Sequence, residues 1–179
     1  ETIMNFSKVV AAAAVAVSFA APAAMAMDDV LPTSDSVFVK WGSEGDWTIY
    51  VDEDKGSCLA ERVDANKNVL QLGLTKSADF GYLGVFTMND VGIKSGSETM
   101  VFSLDGKLYE GKASKKTKNL SEGYTGGYVL TNNPMFVEDV MKKYDMIVFP
   151  KKEYAFSVSL DGTFKAIEAA RKCNMEQKG

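Results

Sequence analysis

Short runs of alternating apolar and polar residues, each closed by turn-forming residues, recur from residue 37 to residue 160 and constrain the fold more than any other feature. A period of two places every second side chain on one face of an extended strand, so such runs fold as half-buried β-strands. The first two lie at 37–41 and 47–51, separated by Gly42-Ser43-Glu44-Gly45-Asp46. Residues 57–63 and 69–74 follow, then 84–88, 99–104 and 107–109. Asp105-Gly106 between the last two predicts a type I′ hairpin, which needs positive φ at both turn positions. Residues 111–127, rich in glycine and lysine and without period, read as a long exposed connection.

From Pro134 the period changes. Phe136, Val137, Val140, Met141 and Tyr144 recur at helical spacing, with proline tolerated in the first turn and Lys142 and Lys143 at the negative end. Strands are expected again at 146–149 and 154–160. Asp161-Gly162 then turns the chain into a C-terminal helix with Thr163 as its N-cap and Phe164, Ile167, Ala170 and Cys173 on one face. About eight to ten short strands with two helices, one at the C-terminus, make a mainly β protein: an antiparallel β-sandwich or open barrel.

The first 26 residues have the three parts of a secretory signal: a polar start with Lys8, an apolar run over 9–21, and a small-residue exit at Ala24-Met25-Ala26, with cleavage expected after Ala26. Met4 is read as the initiator, since Lys8 and the apolar run follow it at ordinary signal spacing. A membrane anchor fits less well, because the run is short, alanine-rich and interrupted by Pro22. No later stretch approaches a membrane span, so residues 27–179 are expected to form a single β-rich domain in the periplasm or the medium.

Export gives the two cysteines their meaning. Cys58 and Cys173 are an even count in a chain addressed to an oxidising compartment, and no C-x-x-C spacing suggests a redox-active pair. A Cys58–Cys173 disulfide is the expectation.

Histidine is absent from all 179 residues, which removes the commonest general base, the commonest metal ligand and every Ser-His or Cys-His nucleophile. No G-x-S-x-G elbow is present. Asp52-Glu53-Asp54-Lys55-Gly56 begins like a calcium loop but has Ser57 where glycine belongs and Val63 where a bidentate glutamate belongs, so it reads as a turn. No catalytic residue, metal or cofactor is assigned. A net charge of −4 argues against nucleic acid as a partner.

Two features suit a partner surface. Lys112, Lys115, Lys116 and Lys118 form a local basic cluster, and Tyr124 and Tyr128 sit among Gly123, Gly126 and Gly127. Most other aromatics, Trp41, Trp47 and Phe86 among them, fall in strand-like runs and read as core. Lys115, Lys116, Tyr124 and Tyr128 are therefore the candidate contact residues.

Three blocks carry a likeness: Trp47 followed by Cys58, the helix from Phe136-Val137 to Met141, and Ser159-Leu160-Asp161-Gly162 with Ala166 and Cys173. Together they resemble the invasion-associated locus B family of secreted and periplasmic bacterial proteins, the C-terminal block most specifically. The resemblance implies a β-sandwich-like envelope protein with Cys58 paired to Cys173, no established catalytic residue, and in some relatives a link to host-cell entry. The segment with the lysine cluster and the Tyr124–Tyr128 glycines has no counterpart in that pattern.

The function expected is a non-enzymatic exported protein that binds another envelope protein, a glycan or a host surface. Two rivals stand beside it: a small histidine-free enzyme cleaving glycans with two carboxylates across a cleft, and a periplasmic enzyme inhibitor that presents the 111–127 segment as its plug.

Overall fold

The computed structural model describes residues 30–33, 35–89, 99–114, 120 and 123–179, with backbone only at 112–114. The expected signal segment, Lys115, Lys116 and Lys118 lie outside the described residues.

Ten strands and two helices are present among the described residues: β1 (Phe38–Glu44), β2 (Trp47–Asp52), β3 (Ser57–Val63), β4 (Val69–Leu74), β5 (Gly81–Thr87), β6 (Thr99–Leu104), β7 (Lys107–Ser114), β8 (Thr125–Thr131), α1 (Pro134–Lys142), β9 (Asp145–Val148), β10 (Phe156–Ser159) and α2 (Thr163–Glu176). Every pairing is antiparallel, in the order β1-β2-β3-β4-β5-β8-β7-β6-β9-β10. Strand β7 divides the order into sheets of six and four. Most of its length pairs with β6, while Ala113 and Ser114 at its end pair with Val129 and Tyr128 of β8.

The mainly β architecture expected of the alternation is what forms, with the two sheets facing each other across a shared core. Trp47, Ile49, Cys58, Leu70 and Val85 from the larger sheet meet Met100, Phe102, Met146 and Val158 from the smaller one, and α1 and α2 add Phe136, Val140, Ala166 and Ala170. Fully burying each large side chain there contributes roughly 1.5–3 kcal/mol. A second cluster, with Leu31, Leu59, Val69, Tyr82, Phe86 and Tyr128, lies on the other face of the larger sheet. Trp47 and Phe86 are core as expected, while Trp41 is half-buried and donates its indole N–H to Glu176 at 2.8 Å.

Local turn chemistry follows the residues. Asp105 and Gly106 have φ of 50° and 82°, as a type I′ hairpin requires. The Cys58–Cys173 disulfide forms, joining β3 to α2 with the two Cα atoms 6.0 Å apart. Asn174, next to it and buried, accepts from the Cys58 amide at 3.1 Å and donates to the Thr75 carbonyl at 3.2 Å. The last helix is thus held to β3 and to the end of β4 at adjacent positions.

Four expectations are corrected. The 111–127 segment is not one exposed connection: β7 runs on to Ser114, and Thr125, Gly126 and Gly127 open β8, between β5 and the end of β7. Glycine is required there, since a Cβ on Gly126 would lie 1.9 Å from the Val85 carbonyl oxygen. Thr163 does not cap α2; the cap is Gly162 at φ 76°, and Thr163 is the first helical residue. Its hydroxyl reaches the Val140 carbonyl instead. Phe164 does not share the buried face of Ile167, Ala170 and Cys173 but is 55% exposed. Strand limits also move, β5 starting at Gly81 and β10 at Phe156.

Candidate functional site: an apolar cleft between the two helices

Helix α1 begins where the Asn133 side chain accepts from the amides of Met135 and Phe136 at 3.0 and 3.4 Å, which satisfies donors that no helical carbonyl can reach. Phe136 and Val140 point into the core. Val137 and Met141, each one residue further round the helix, are half-buried and face the space between α1 and α2.

Several polar contacts hold α1 in place. Asp139 accepts from the Tyr109 hydroxyl and from Lys107 at 3.2 Å, and Lys143 pairs with Asp105 at 2.6 Å, both against the β6–β7 hairpin. The Tyr109 hydroxyl is the foremost reason that the Asp139 carboxyl is held below its ordinary value, with Lys107 and Lys143 acting in the same direction. Thr163 then ties α2 to α1 through the Val140 carbonyl at 2.7 Å.

A third wall comes from the β4–β5 hairpin. Thr75 closes it by donating its amide to the Phe80 carbonyl at 3.0 Å, and Ala78 adopts a positive φ of 63° within the turn. Leu74 and Phe80 are left half-buried beside α2.

The three walls enclose an open cleft of about 410 Å³, within the size range of small-ligand sites. Leu72, Leu83, Val140, Ile167 and Ala170 line its depth, and Phe164 stands at its mouth. Charged side chains are confined to the rim. Glu138 pairs with Lys142 one turn along α1, and Arg171 pairs with Glu168 at 2.6 Å on α2, both pairs solvent-exposed. Asp79 is the remaining rim carboxylate and is also exposed.

A general acid at neutral pH needs a carboxyl whose pKa is raised by its surroundings. Among the described residues two such groups exist, Asp52 and Glu61, both raised chiefly by burial. Both alternate with core residues along β2 and β3 and so point to the face of the larger sheet opposite α2. Asp52 accepts from the Ser36 hydroxyl at 2.9 Å, and Glu61 from the Gln71 amide at 2.6 Å. Neither lines the cleft. Among the described residues, no group of three or more cysteine, aspartate or glutamate side chains is placed to hold a metal ion.

Of the residues singled out from sequence, Tyr124 and Tyr128 are described, and neither lines the cleft. Tyr128 is wholly buried, its ring edge-on to Tyr82 and Phe86 and its hydroxyl donating to Gln71, so it is corrected from a contact residue to a core residue. Burial drives its hydroxyl pKa far upward. The alternation of β8 dictates this outcome, because Tyr128 faces the second cluster while Val129 faces the first. Tyr124 is half-buried and donates its hydroxyl to the Lys67 carbonyl at 2.9 Å. Lys115 and Lys116 lie outside the described residues.

The cleft residues were visible in sequence only as core. The available signal was the width of the apolar stripe on α1: Phe136, Val137, Val140 and Met141 span more of the helix than one packed face uses.

No family model, curated protein or solved structure matches the chain. No helix among the described residues is long and apolar enough to cross a membrane.

Proposed function

We propose that the chain is an exported, non-enzymatic envelope protein that binds another component of the envelope or of a host surface, and that the α1–α2 cleft is its binding element. The observation that carries this reading is the separation of chemistry from concavity. The cleft is apolar in depth, with its charges exposed at the rim, while the carboxyls tuned by burial face the other side of the sheet.

Export is supported by the three-part pattern of residues 1–26 together with the disulfide, since such bonds persist in oxidising compartments. The likeness of Ser159-Leu160-Asp161-Gly162, Ala166 and Cys173 to the invasion-associated locus B pattern points the same way, to a periplasmic or secreted scaffold. A role in host entry does not follow from the cleft.

Photo-crosslinking in the native envelope tests the reading. A photoreactive side chain at Phe164, at the cleft mouth, is expected to capture one component reproducibly, and the same group at Tyr144, which is 78% exposed and does not line the cleft, is expected not to. Equal capture from both positions, or turnover of an envelope glycan by the purified protein, sinks the proposal.

A further inference from the structure

None of Leu72, Leu83, Val140, Ile167 and Ala170, which line the depth of the cleft, carries a polar side-chain atom. Their backbone is equally spent. Strand β4 is paired on both edges by β3 and β5, β5 is paired by β4 and β8, and the interiors of α1 and α2 satisfy their own amides. An extended peptide entering this space would bring an N–H and a C=O with every residue, and a sugar would bring hydroxyls, all without partners. A hydrocarbon chain brings no such groups and gains by leaving water.

The mouth, unlike the depth, is charged. Lys142 pairs there with Glu138 and Arg171 with Glu168, both pairs exposed, and Asp79 is a further exposed carboxylate at the rim. A head group left in water at this rim meets charge of both signs. Phe164 and Met141 provide a phenyl ring and a flexible thioether that adapt to an apolar chain passing between the helices.

Resting on the binding reading above, we infer that the cleft holds the hydrocarbon chain of a single-chain amphiphile, with the head group outside among Lys142, Arg171, Glu138 and Asp79. A free fatty acid and a lysophospholipid share this chemistry.

The full chain, with its disulfide intact, is titrated with anilinonaphthalene sulfonate, and the bound dye is then competed with hexadecanoate, with lysophosphatidylcholine of the same chain length, and with a leucine-rich peptide. Dye binding is expected to weaken about tenfold or more in Val137→Trp, which fills the cleft from a half-buried position, and to be unchanged in Tyr144→Ala. Met141→Trp is the second cleft-filling variant, and thermal melts confirm that each variant folds.

Displacement by both acyl compounds supports the inference and shows that the chain alone is recognised. Displacement by only one of them supports it and identifies the head group that is accepted. If the dye binds in a Val137-dependent way but neither acyl compound displaces it, or the peptide alone does, the inference is overturned while the cleft remains a binding site. If the dye does not bind, or Val137→Trp leaves its binding unchanged, both readings fall.

Discussion

The Thr163 hydroxyl donates a 2.7 Å hydrogen bond to the Val140 carbonyl, joining the first residue of α2 to the last turn of α1. That carbonyl lies among those which a helix leaves without an internal partner at its C-terminal end, so the bond satisfies an orphan acceptor in a buried place. It also links the two cleft walls directly.

Replacing Thr163 by valine keeps the shape and removes the donor. The expected loss is about 1–3 kcal/mol, because a buried carbonyl is left unpaired. Thr163→Ser retains the hydroxyl and is expected to recover most of that loss. Urea denaturation of the two variants measures the difference, and equal midpoints would show that the bond contributes nothing.

The disulfide closes a loop with a sequence separation of 115 residues. In the chain-entropy account, its removal by Cys58→Ala with Cys173→Ala costs roughly 4 to 5 kcal/mol. The cost falls on the wall of the cleft, since α2 then depends on Asn174 and on apolar packing to stay against β3. Denaturation with and without reductant should show the same shift in the wild-type chain, and no shift in the double variant.

Asp52 and Glu61 make stability depend on pH in an unusual direction for carboxylates. Burial raises both above their ordinary values, so between the unfolded and folded pKa the native state holds more protons than the unfolded one. Their contribution is fully present below the ordinary carboxylate range, about pH 4, and is lost as pH rises through the folded values. Asp52→Asn with Glu61→Gln retains an acceptor oxygen for Ser36 and for Gln71. The double variant is expected to be more stable than wild type at neutral pH and to lose less stability between acid and neutral pH. A wild-type midpoint that falls no faster than the variant's over that interval contradicts this account.

Gly126 and Gly42 form a matched pair for testing close approach. A Cβ at Gly126 would meet the Val85 carbonyl oxygen at 1.9 Å, whereas one at Gly42 meets nothing within 4 Å. Gly126→Ala is expected to cost about 3 kcal/mol or more, since backbone must shift to admit the methyl group. Gly42→Ala should lie within about 0.5 kcal/mol of wild type. Thermal melts of the two decide whether β8 is built around its glycine.

Much of the strand architecture was legible because alternation acts between residues near each other in sequence. Trp47-Thr48-Ile49-Tyr50-Val51 declares its two faces without reference to any other segment, and the structure places Trp47 and Ile49 in one cluster and Tyr50 in the other. Asp105-Gly106 specified its turn in the same local way. Strand β8 was not legible, because Gly126 and Gly127 have no side chains with which to show a period. Gly126 is small for the sake of β5, a neighbour that only the folded chain supplies.

The candidate site was less visible still. Val137, Met141 and Phe164 look in sequence like any residues of an amphipathic helix, and nothing local distinguishes an apolar side chain that packs from one that lines a cleft. That distinction depends on how far the β4–β5 hairpin stands from the helices.

From the sequence alone follow the mainly β fold, the two helices, the pairing of Cys58 with Cys173 and the absence of histidine-based chemistry. Each rests on periodicity, turn preference or composition, which neighbouring residues or simple counts express. The tertiary structure decided that Tyr128 turns inward, that glycines sit within a sheet strand, that Asp52 and Glu61 face away from the helices, and that an apolar cleft opens between α1 and α2. Those outcomes depend on which distant segments meet and how closely their backbones approach, and no local pattern in the chain encodes either distance.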